Sequence, residues 1–403
     1  MATRGVKEAE GNFECMRAGF LRWFALFAVA VGLEAKAQTN GIFADFTTSL
    51  GSFTCELDYT NSPKAVANFV GLATGERAWL DLVTGETRTN AFYDGLTFHR
   101  VLTNLAIQAG SPNGQGNDGP GYVFVDQFSS SLNFNSPWML AMANSGPNYN
   151  GSQFFVTVAP NNPWNNSYVI FGRVVSGTNV VAAISHVATD ANDKPLTNVF
   201  LQSVAIRRLG PAAQGFNINA QALAIVTNLP LRLTKKGTQG SLTFSNRLYS
   251  ENFYYSTTDL ASWAGTSLGF EVSAPISNTF PVAMTSPQEF FRAAQIQYPS
   301  STFAPKDIAG KTLTLVFNVR GTATIVFNNS GGGTFTYAGS QGTVTSYSWY
   351  QDAYRGFLYP IQFSVFLPEM FLQLNFTSSA GGTFLQPGDT SAIPIAGTFS
   401  LGL

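Results

Sequence analysis

Charge is scarce in this sequence. Asp, Glu, Lys and Arg make up 11% of the 403 residues, against roughly a quarter in an ordinary globular chain. The surface must therefore be wetted by Asn, Ser, Thr and Gln. A formal net charge of -1 leaves no electrostatic case for nucleic acid or an anionic membrane surface. Cysteine is scarcer still, with two residues, Cys15 and Cys55. Cys15 lies in the N-terminal segment, and Cys55 alone can form neither an internal disulfide nor a CxxC redox or zinc site. In the alternating run GSFTCEL it reads as a small buried side chain. Two histidines and scattered carboxylates offer no metal set, and no G-x-S-x-G elbow supports a serine hydrolase. GQGNDG at 114–119 has the dinucleotide spacing G-x-G-x-x-G, but Pro120 and Gly121 follow where a helix would have to begin. No cofactor and no metal are expected.

Apolar residues are plentiful, at 45%, and the length implies two or three domains. The first apolar run is N-terminal, in MRAGFLRWFALFAVAVGLEAKAQ from Met16. Arg17 and Arg22 supply the positive flank, Trp23 to Leu33 the apolar centre, and Ala35-Lys36-Ala37 a small-x-small cleavage site. Residues 1–37 therefore read as an export signal, with Met16 as an alternative start. The run is shorter than the about 20 residues that cross a bilayer. The mature chain is expected to lack a membrane span and to lie in the periplasm or outside the cell.

Residues 41–59 read as two strands joined by a turn at Ser49–Ser52. In NSPKAVANFVGLATGE, Ser62 can cap a helix, Pro63 fits its first turn, Ala65, Phe69 and Leu72 form its stripe, and Gly75 stops it. SYVIFGRVV reads as a strand, TNVVAAISHVA as a short helix and NVFLQSVAIRRLG as a closing strand. After Gly210 the helical period vanishes. Short alternating runs over 213–302 suggest a small antiparallel sandwich. YPSSTFAPKDIAG reads as a linker, and the seven strand-like runs over 303–403 fit a meander or barrel. The aromatics Trp263, Trp349, Tyr347, Tyr350 and Tyr354 read first as core and strand-pairing residues, and second as a surface for a glycan or a protein.

One segment resists a purely structural account. AMANSGPNYNGSQFFVTV, 141–158, crowds Asn144, Asn148, Asn150 and Gln153 around glycines and a proline directly before Phe154. Turn chemistry explains part of this, and β-propensity explains FFVTV. The density of amides becomes intelligible beside YDGLTFHRVLTNLAIQAG, 93–110. Phe-His-Arg followed by an apolar run and a glutamine, then Met-Ala-Asn, Gly-Pro-Asn and Asn-Gly-Ser-Gln-Phe-Phe, then IFGRVV, resembles the cyclophilins, the peptidyl-prolyl cis-trans isomerases. The likeness is collinear over roughly 41–210. It implies a mainly β fold: a closed eight-stranded barrel with two capping helices over 38–212, followed here by two small antiparallel β modules.

The barrier to rotation about an X–Pro bond is about 18–20 kcal/mol and comes from amide resonance. Lowering it needs no nucleophile and no acid or base. It needs a donor for the amide nitrogen as that becomes pyramidal, which a rigid, permanently charged guanidinium supplies. The resemblance implies that Arg100 is this group, that Gln108 and Gln153 bond the substrate and orient Arg100, and that Phe155, Leu105 and Ala106 floor the proline pocket. It implies peptide contacts from Ala143 and Asn144, with Trp164 and Tyr168 at the pocket wall. Phe154 and Phe155 would then alternate between core and groove. The family usually carries Phe and Met where this chain has Leu105 and Ala106, which makes the pocket shallower and expects reduced activity. A surface ion pair is the other role open to Arg100. Proline-containing stretches of other exported chains are the expected partners. The competing reading is a non-catalytic proline-peptide binding or adhesion protein on the same barrel.

Overall fold

A computed structural model describes residues 40–403 apart from 272–276, 285, 287, 300–303, 306, 319–320, 353, 365–369, 387–394 and 403. The export signal expected over 1–37 lies outside the described residues. The chain from Gly41 to Leu403 forms one compact unit.

The expected opening hairpin forms as β1 (Gly41–Thr48) and β2 (Gly51–Leu57). Helix α1 (Pro63–Thr74) follows and stops at Gly75, whose φ of 74° is open to glycine without strain. A Cβ there would press on the Thr89 carbonyl. Ser62 occupies the N-cap position but caps nothing: its hydroxyl donates to the Ile170 carbonyl at 2.6 Å and ties the helix start to the sheet. Short strands β3 (Trp79–Asp81) and β4 (Glu86–Arg88) form a separate hairpin.

Seven more strands complete the main sheet: β5 (Leu96–Thr97), β6 (Arg100–Leu102), β7 (Ala106–Ala109), β8 (Met139–Asn144), β9 (Asn150–Thr157), β10 (Ile170–Ser176) and β11 (Phe200–Leu209). Their order is β5-β11-β1-β2-β10-β8-β9-β7-β6. The expectation was a closed barrel of eight strands; the ladder runs through nine and is not bridged between its end strands β5 and β6. Those two follow each other in the chain. Helix α1 packs against β11, β10 and β9, and helix α2 (Thr178–Ser185) against β2, β7 and β6. An aromatic core fills the space between, where Phe46 stacks on Phe53 at 4.5 Å and Phe69 meets Phe154 edge-on at 5.6 Å. This core extends past the strands to Ala213, Ile218 and Leu223.

Beyond it come two further β assemblies. The first is built from β12 (Ile225–Asn228), β13 (Arg232–Lys236), β14 (Gln239–Ser245), β15 (Ser250–Thr257), β16 (Ala264–Glu271), β17 (Ser277–Ala283) and β18 (Phe290–Gln297). It joins a four-stranded sheet, order β12-β18-β15-β16, to a three-stranded one, order β13-β14-β17. Tyr254 of β15 (Ser250–Thr257) meets Phe280 of β17 (Ser277–Ala283) at 4.8 Å across the sheets, as a sandwich requires. The second runs from β19 (Thr312–Phe317) to β27 (Ala396–Gly402). Between them lie β20 (Gly321–Phe327), β21 (Gly333–Tyr337), β22 (Ser340–Ser346), β23 (Trp349–Asp352), β24 (Arg355–Phe363), β25 (Met370–Ser378) and β26 (Gly381–Leu385). The order is β22-β21-β20-β19-β27-β26-β25-β24-β23, and pairing of β22 with β24 closes eight of these strands into a barrel. Alternate residues fill the interior: Leu313 and Leu315, Ile325 and Phe327, and Leu372, Leu374 and Phe376.

The segment read as a linker is not loose where it is described. Ala304 and Ile308 belong to the barrel core, and Tyr298 to a third core. That third core joins Leu80 and Tyr122 of the first sheet's domain, Ala224, Val226, Ala294 and Ile296 of the sandwich, and Tyr354 of the barrel. Buried Arg77 crosses the same seam, donating to the Ala224 carbonyl and to the Tyr122 hydroxyl. The C-terminal aromatics do not form one platform. Tyr354 is buried, Trp349 donates to the Pro305 carbonyl, Tyr347 packs on Phe327 and Trp263 lies under Arg292. Tyr350 is exposed and stacks on Phe357.

Candidate active site

Arg100, Gln108 and Phe155 come from distant parts of the chain, and the ladder puts them in one row. Arg100 pairs with Gln108 across β6–β7, and Gln108 pairs with Phe155 across β7–β9. Side chains directly opposite in adjacent strands share a face, so the three project together. The next pairing, Leu102 with Ala106, adds a second row. Above these rows lies a cavity of about 120 Å³ lined by Arg100, Leu102, Ala106, Gln108, Ala143, Asn144, Phe155, Trp164 and Tyr168. Apart from Leu102, every one is a residue that the sequence singles out.

Strand alternation separates the two phenylalanines. Phe154 is fully buried in the main core, while Phe155 belongs to a small apolar cluster on the other face. Edge-on rings fix Phe155 in place: Trp164 at 5.2 Å and Tyr168 at 5.3 Å, with Phe134 stacked behind it at 5.8 Å. Phe134 is fully buried and was not anticipated, because a lone Phe in the stretch SSSLNFNS carries no periodic signal. Leu105 does not line the cavity. It sits in the turn before β7, its N–H donating to the Leu102 carbonyl, and only packs against the Phe155 cluster. Ala106 is the wall instead, being the first residue of the strand.

The glutamines bond each other rather than the arginine. Gln108 Nε2 donates to Gln153 Oε1 at 3.0 Å, and Gln153 Nε2 donates to the Asp118 carbonyl at 2.9 Å. Arg100 is oriented by Asp193, to whose Oδ2 it donates from Nε at 3.2 Å and Nη2 at 3.1 Å. Both side chains of this pair are partly exposed, and Nη1 makes no hydrogen bond among the described residues. Asp193 lies in a turn with φ of 63°, and its own carbonyl accepts from the Val101 N–H at 2.7 Å. The run DANDK at 190–194 signals a turn, but nothing in it names Arg100 as a partner.

The remaining amides are braces. Asn144 Nδ2 donates to the Ser167 carbonyl at 2.9 Å, which joins the rim beside Tyr168 to β8. Asn150 Nδ2 donates to the Phe124 carbonyl and to Asp126, and Asp126 in turn accepts from the Asn148 N–H. Burial raises the Asp126 pKa, and the bonds from Asn150 and Asn148 oppose that rise. Asn148 Nδ2 reaches out of the domain to the Phe376 carbonyl of the C-terminal barrel at 2.6 Å. His99 is buried, and burial pushes its pKa down against the opposing effects of the Gln153 side chain and the Asp118 charge. Among the described residues no group of three or more His, Cys, Asp or Glu is placed to hold a metal ion.

The family model for cyclophilin type peptidyl-prolyl cis-trans isomerase/CLD matches residues 43–206. Peptidyl-prolyl cis-trans isomerase B of Streptomyces anulatus is 45% identical over 168 residues, which are 41% of this chain and 96% of that protein. Peptidyl-prolyl cis-trans isomerase A of Mycobacterium tuberculosis is 44% identical over 179 residues, 43% of this chain and 98% of that protein. The crystal structure of a cyclophilin type isomerase of Cryptosporidium parvum superposes with a TM-score of 0.37 at 28% identity, covering 42% of this chain and 98% of that one. With nearly the whole of each curated relative covered, the chain belongs to the cyclophilin-type peptidyl-prolyl cis-trans isomerases.

Proposed function

We propose that this isomerase acts on X–Pro bonds of exported proteins and that Arg100 lowers the rotational barrier. The observation that carries this reading is the cavity over the Arg100–Gln108–Phe155 row. At about 120 Å³ it is well below the roughly 300–1,000 Å³ of a drug-sized site, and it suits one small ring. Phe155, Ala106 and Leu102 offer that ring an apolar floor. Trp164 and Tyr168 flank it, and Ala143 and Asn144 run beside it as an edge for the peptide backbone.

Asp193 holds the Arg100 fork by one edge and leaves the Nη1 edge for the substrate. A guanidinium placed there donates to the prolyl nitrogen only once that nitrogen has lost its resonance. The bond is thus stronger in the twisted state than in the planar ground state, which is what catalysis requires. The Gln108–Gln153 pair contributes a fixed polar edge beside it. Export of the clients is supported by the leader-like sequence at 16–37.

The test is prolyl isomerisation of a short X–Pro peptide by the full chain, wild type against Arg100→Ala. A fall in kcat/KM of about 100-fold is expected, the usual effect of removing one transition-state donor. Undiminished turnover by the variant would remove Arg100 from the mechanism. Peptide affinity without any acceleration by the wild type would favour the binding-protein reading.

A further inference from the structure

The two sheets of the sandwich end in the outer strands β12, β16, β13 and β17. Three of these are covered or blunted. β12 packs against β4, β16 lies beside β23, and β17 carries Pro281, which has no N–H to offer a further strand. The fourth is different. β13 contains no proline, and all five of its residues are exposed. Alternate residues of an end strand turn their N–H and C=O groups outward, so β13 presents a row of backbone donors and acceptors at strand spacing.

The charge on this edge has one sign. Arg232, Lys235 and Lys236 sit within one short strand of a chain in which 11% of residues are charged. Among the described residues none of the three forms an ion pair. β14 and β17 contain no Asp or Glu, and none occurs anywhere from Lys194 to Ser250. Strand alternation puts Arg232 and Lys236 on one face and Lys235 on the other, so cations flank the edge on both sides. Such charges repel a second copy of the same edge. Self-pairing is thereby disfavoured, and an extended chain of opposite sign is the strand that fits. A nucleic acid or a lipid headgroup would meet the charges but leave the backbone row unused.

We propose that β13 takes an acidic, extended segment of a client chain as an added strand, at a place separate from the pocket that turns over the client's proline. The inference rests on the isomerase reading for one point, that the clients are polypeptides not yet folded. Main-chain hydrogen bonds to β13 give affinity without demanding a sequence. Carboxylates opposite Arg232, Lys235 and Lys236 give the preference for acid. A client anchored there presents its prolines to the pocket at a raised effective concentration, given chain enough to span the two.

The test uses a short fluorescein-labelled peptide of threonine and glutamate, without proline, titrated with the full chain and read by fluorescence anisotropy. The wild type should bind it roughly tenfold tighter than the same peptide with glutamine for glutamate, with the margin shrinking as salt is added. Arg232→Gln, Lys235→Gln and Lys236→Gln together should abolish the preference, and their exposure spares the fold. N-methylation of the peptide's central backbone amides should abolish binding, because it removes the donors of an added strand and keeps the charge. Equal affinity for the acidic and glutamine peptides, or a preference that survives the triple substitution, overturns the docking edge. Undiminished binding of the N-methylated peptide overturns strand addition, and capture of anionic lipid vesicles through the same three residues without any binding of the peptide assigns the patch to lipid instead. The peptide holds no proline, so its binding succeeds or fails independently of turnover at Arg100.

Discussion

The cyclophilin domain and the C-terminal barrel solve the same problem differently. Each wraps a long antiparallel sheet around an aromatic core, the first a ladder of nine strands left unbridged at its ends and the second a closed ring of eight. In the barrel, the β22–β24 pairing closes the ring, and period-two side chains fill the middle. Its outward face is free to dock. In the cyclophilin domain the inner face is filled in the same way, but the outer face at β6, β7 and β9 is also semi-buried, roofed by Phe134, Trp164 and Tyr168. The difference teaches where activity can reside: a closed, filled barrel offers only its surface, while a sheet partly covered on both faces leaves a pocket. The barrel's contact with the cyclophilin domain is at the turn between β8 and β9, where Asn148 donates to the Phe376 carbonyl and Tyr149 accepts from Arg355.

The division between the two regions breaks most visibly at the seam. A fragment ending at 212 removes Ile218 and Leu223 from the first core and bares Leu80 and Tyr122. Each lost apolar side chain is worth about 1.5–3 kcal/mol. Such a fragment should therefore be less stable than one ending at 226 by about 3–6 kcal/mol, as read from urea midpoints. Equal midpoints would show that the seam contributes little.

Next in size, Phe154→Ala and Phe376→Ala should each cost about 3–5 kcal/mol, since both rings are fully buried. Because the third core joins all the assemblies, both substitutions should lower one common melting transition of the full chain. Two separate transitions, each sensitive to one substitution, would establish independent regions.

A smaller effect concerns catalysis alone. Asp193→Ala should reduce kcat/KM roughly two- to fivefold while shifting stability by less than about 1 kcal/mol, because the pair is partly exposed. A loss as large as that expected for Arg100→Ala would give Asp193 a more direct role.

The smallest effect is a titration confined to one region. Both histidines of the chain, His99 and His186, lie in the cyclophilin domain. Burial holds the folded pKa of His99 below that of the unfolded ring, about 6.5. The associated stability is present above that value and is lost as pH falls through the folded pKa, since the unfolded chain takes up the proton first. The melting temperature should decline below about pH 6.5, and His99→Gln should flatten that decline. A slope unchanged by the substitution would place the titrating group elsewhere.

Much of the site was legible because strand periodicity and turn residues are local. The hairpin at 41–57 and the stop at Gly75 form as expected, Phe154 and Phe155 face opposite sides of the sheet, and Arg100, Gln108, Ala143, Asn144, Trp164 and Tyr168 line one cavity. Leu105 was misplaced because the start of β7 decides which of two adjacent apolar residues faces the pocket, and a turn at 102–105 sets that start. The role given to the glutamines changed hands because ion pairs form across space: Asp193 is 93 positions from Arg100.

By itself the sequence determined the family and the all-β character of the C-terminal half, since each is written in motifs and in residues two or a few positions apart. Tertiary structure alone decided that the appended assemblies share a core with the isomerase domain and that Asp193 orients Arg100. Those are contacts between segments far apart in the chain, and their partners are chosen by packing and charge rather than by any local pattern.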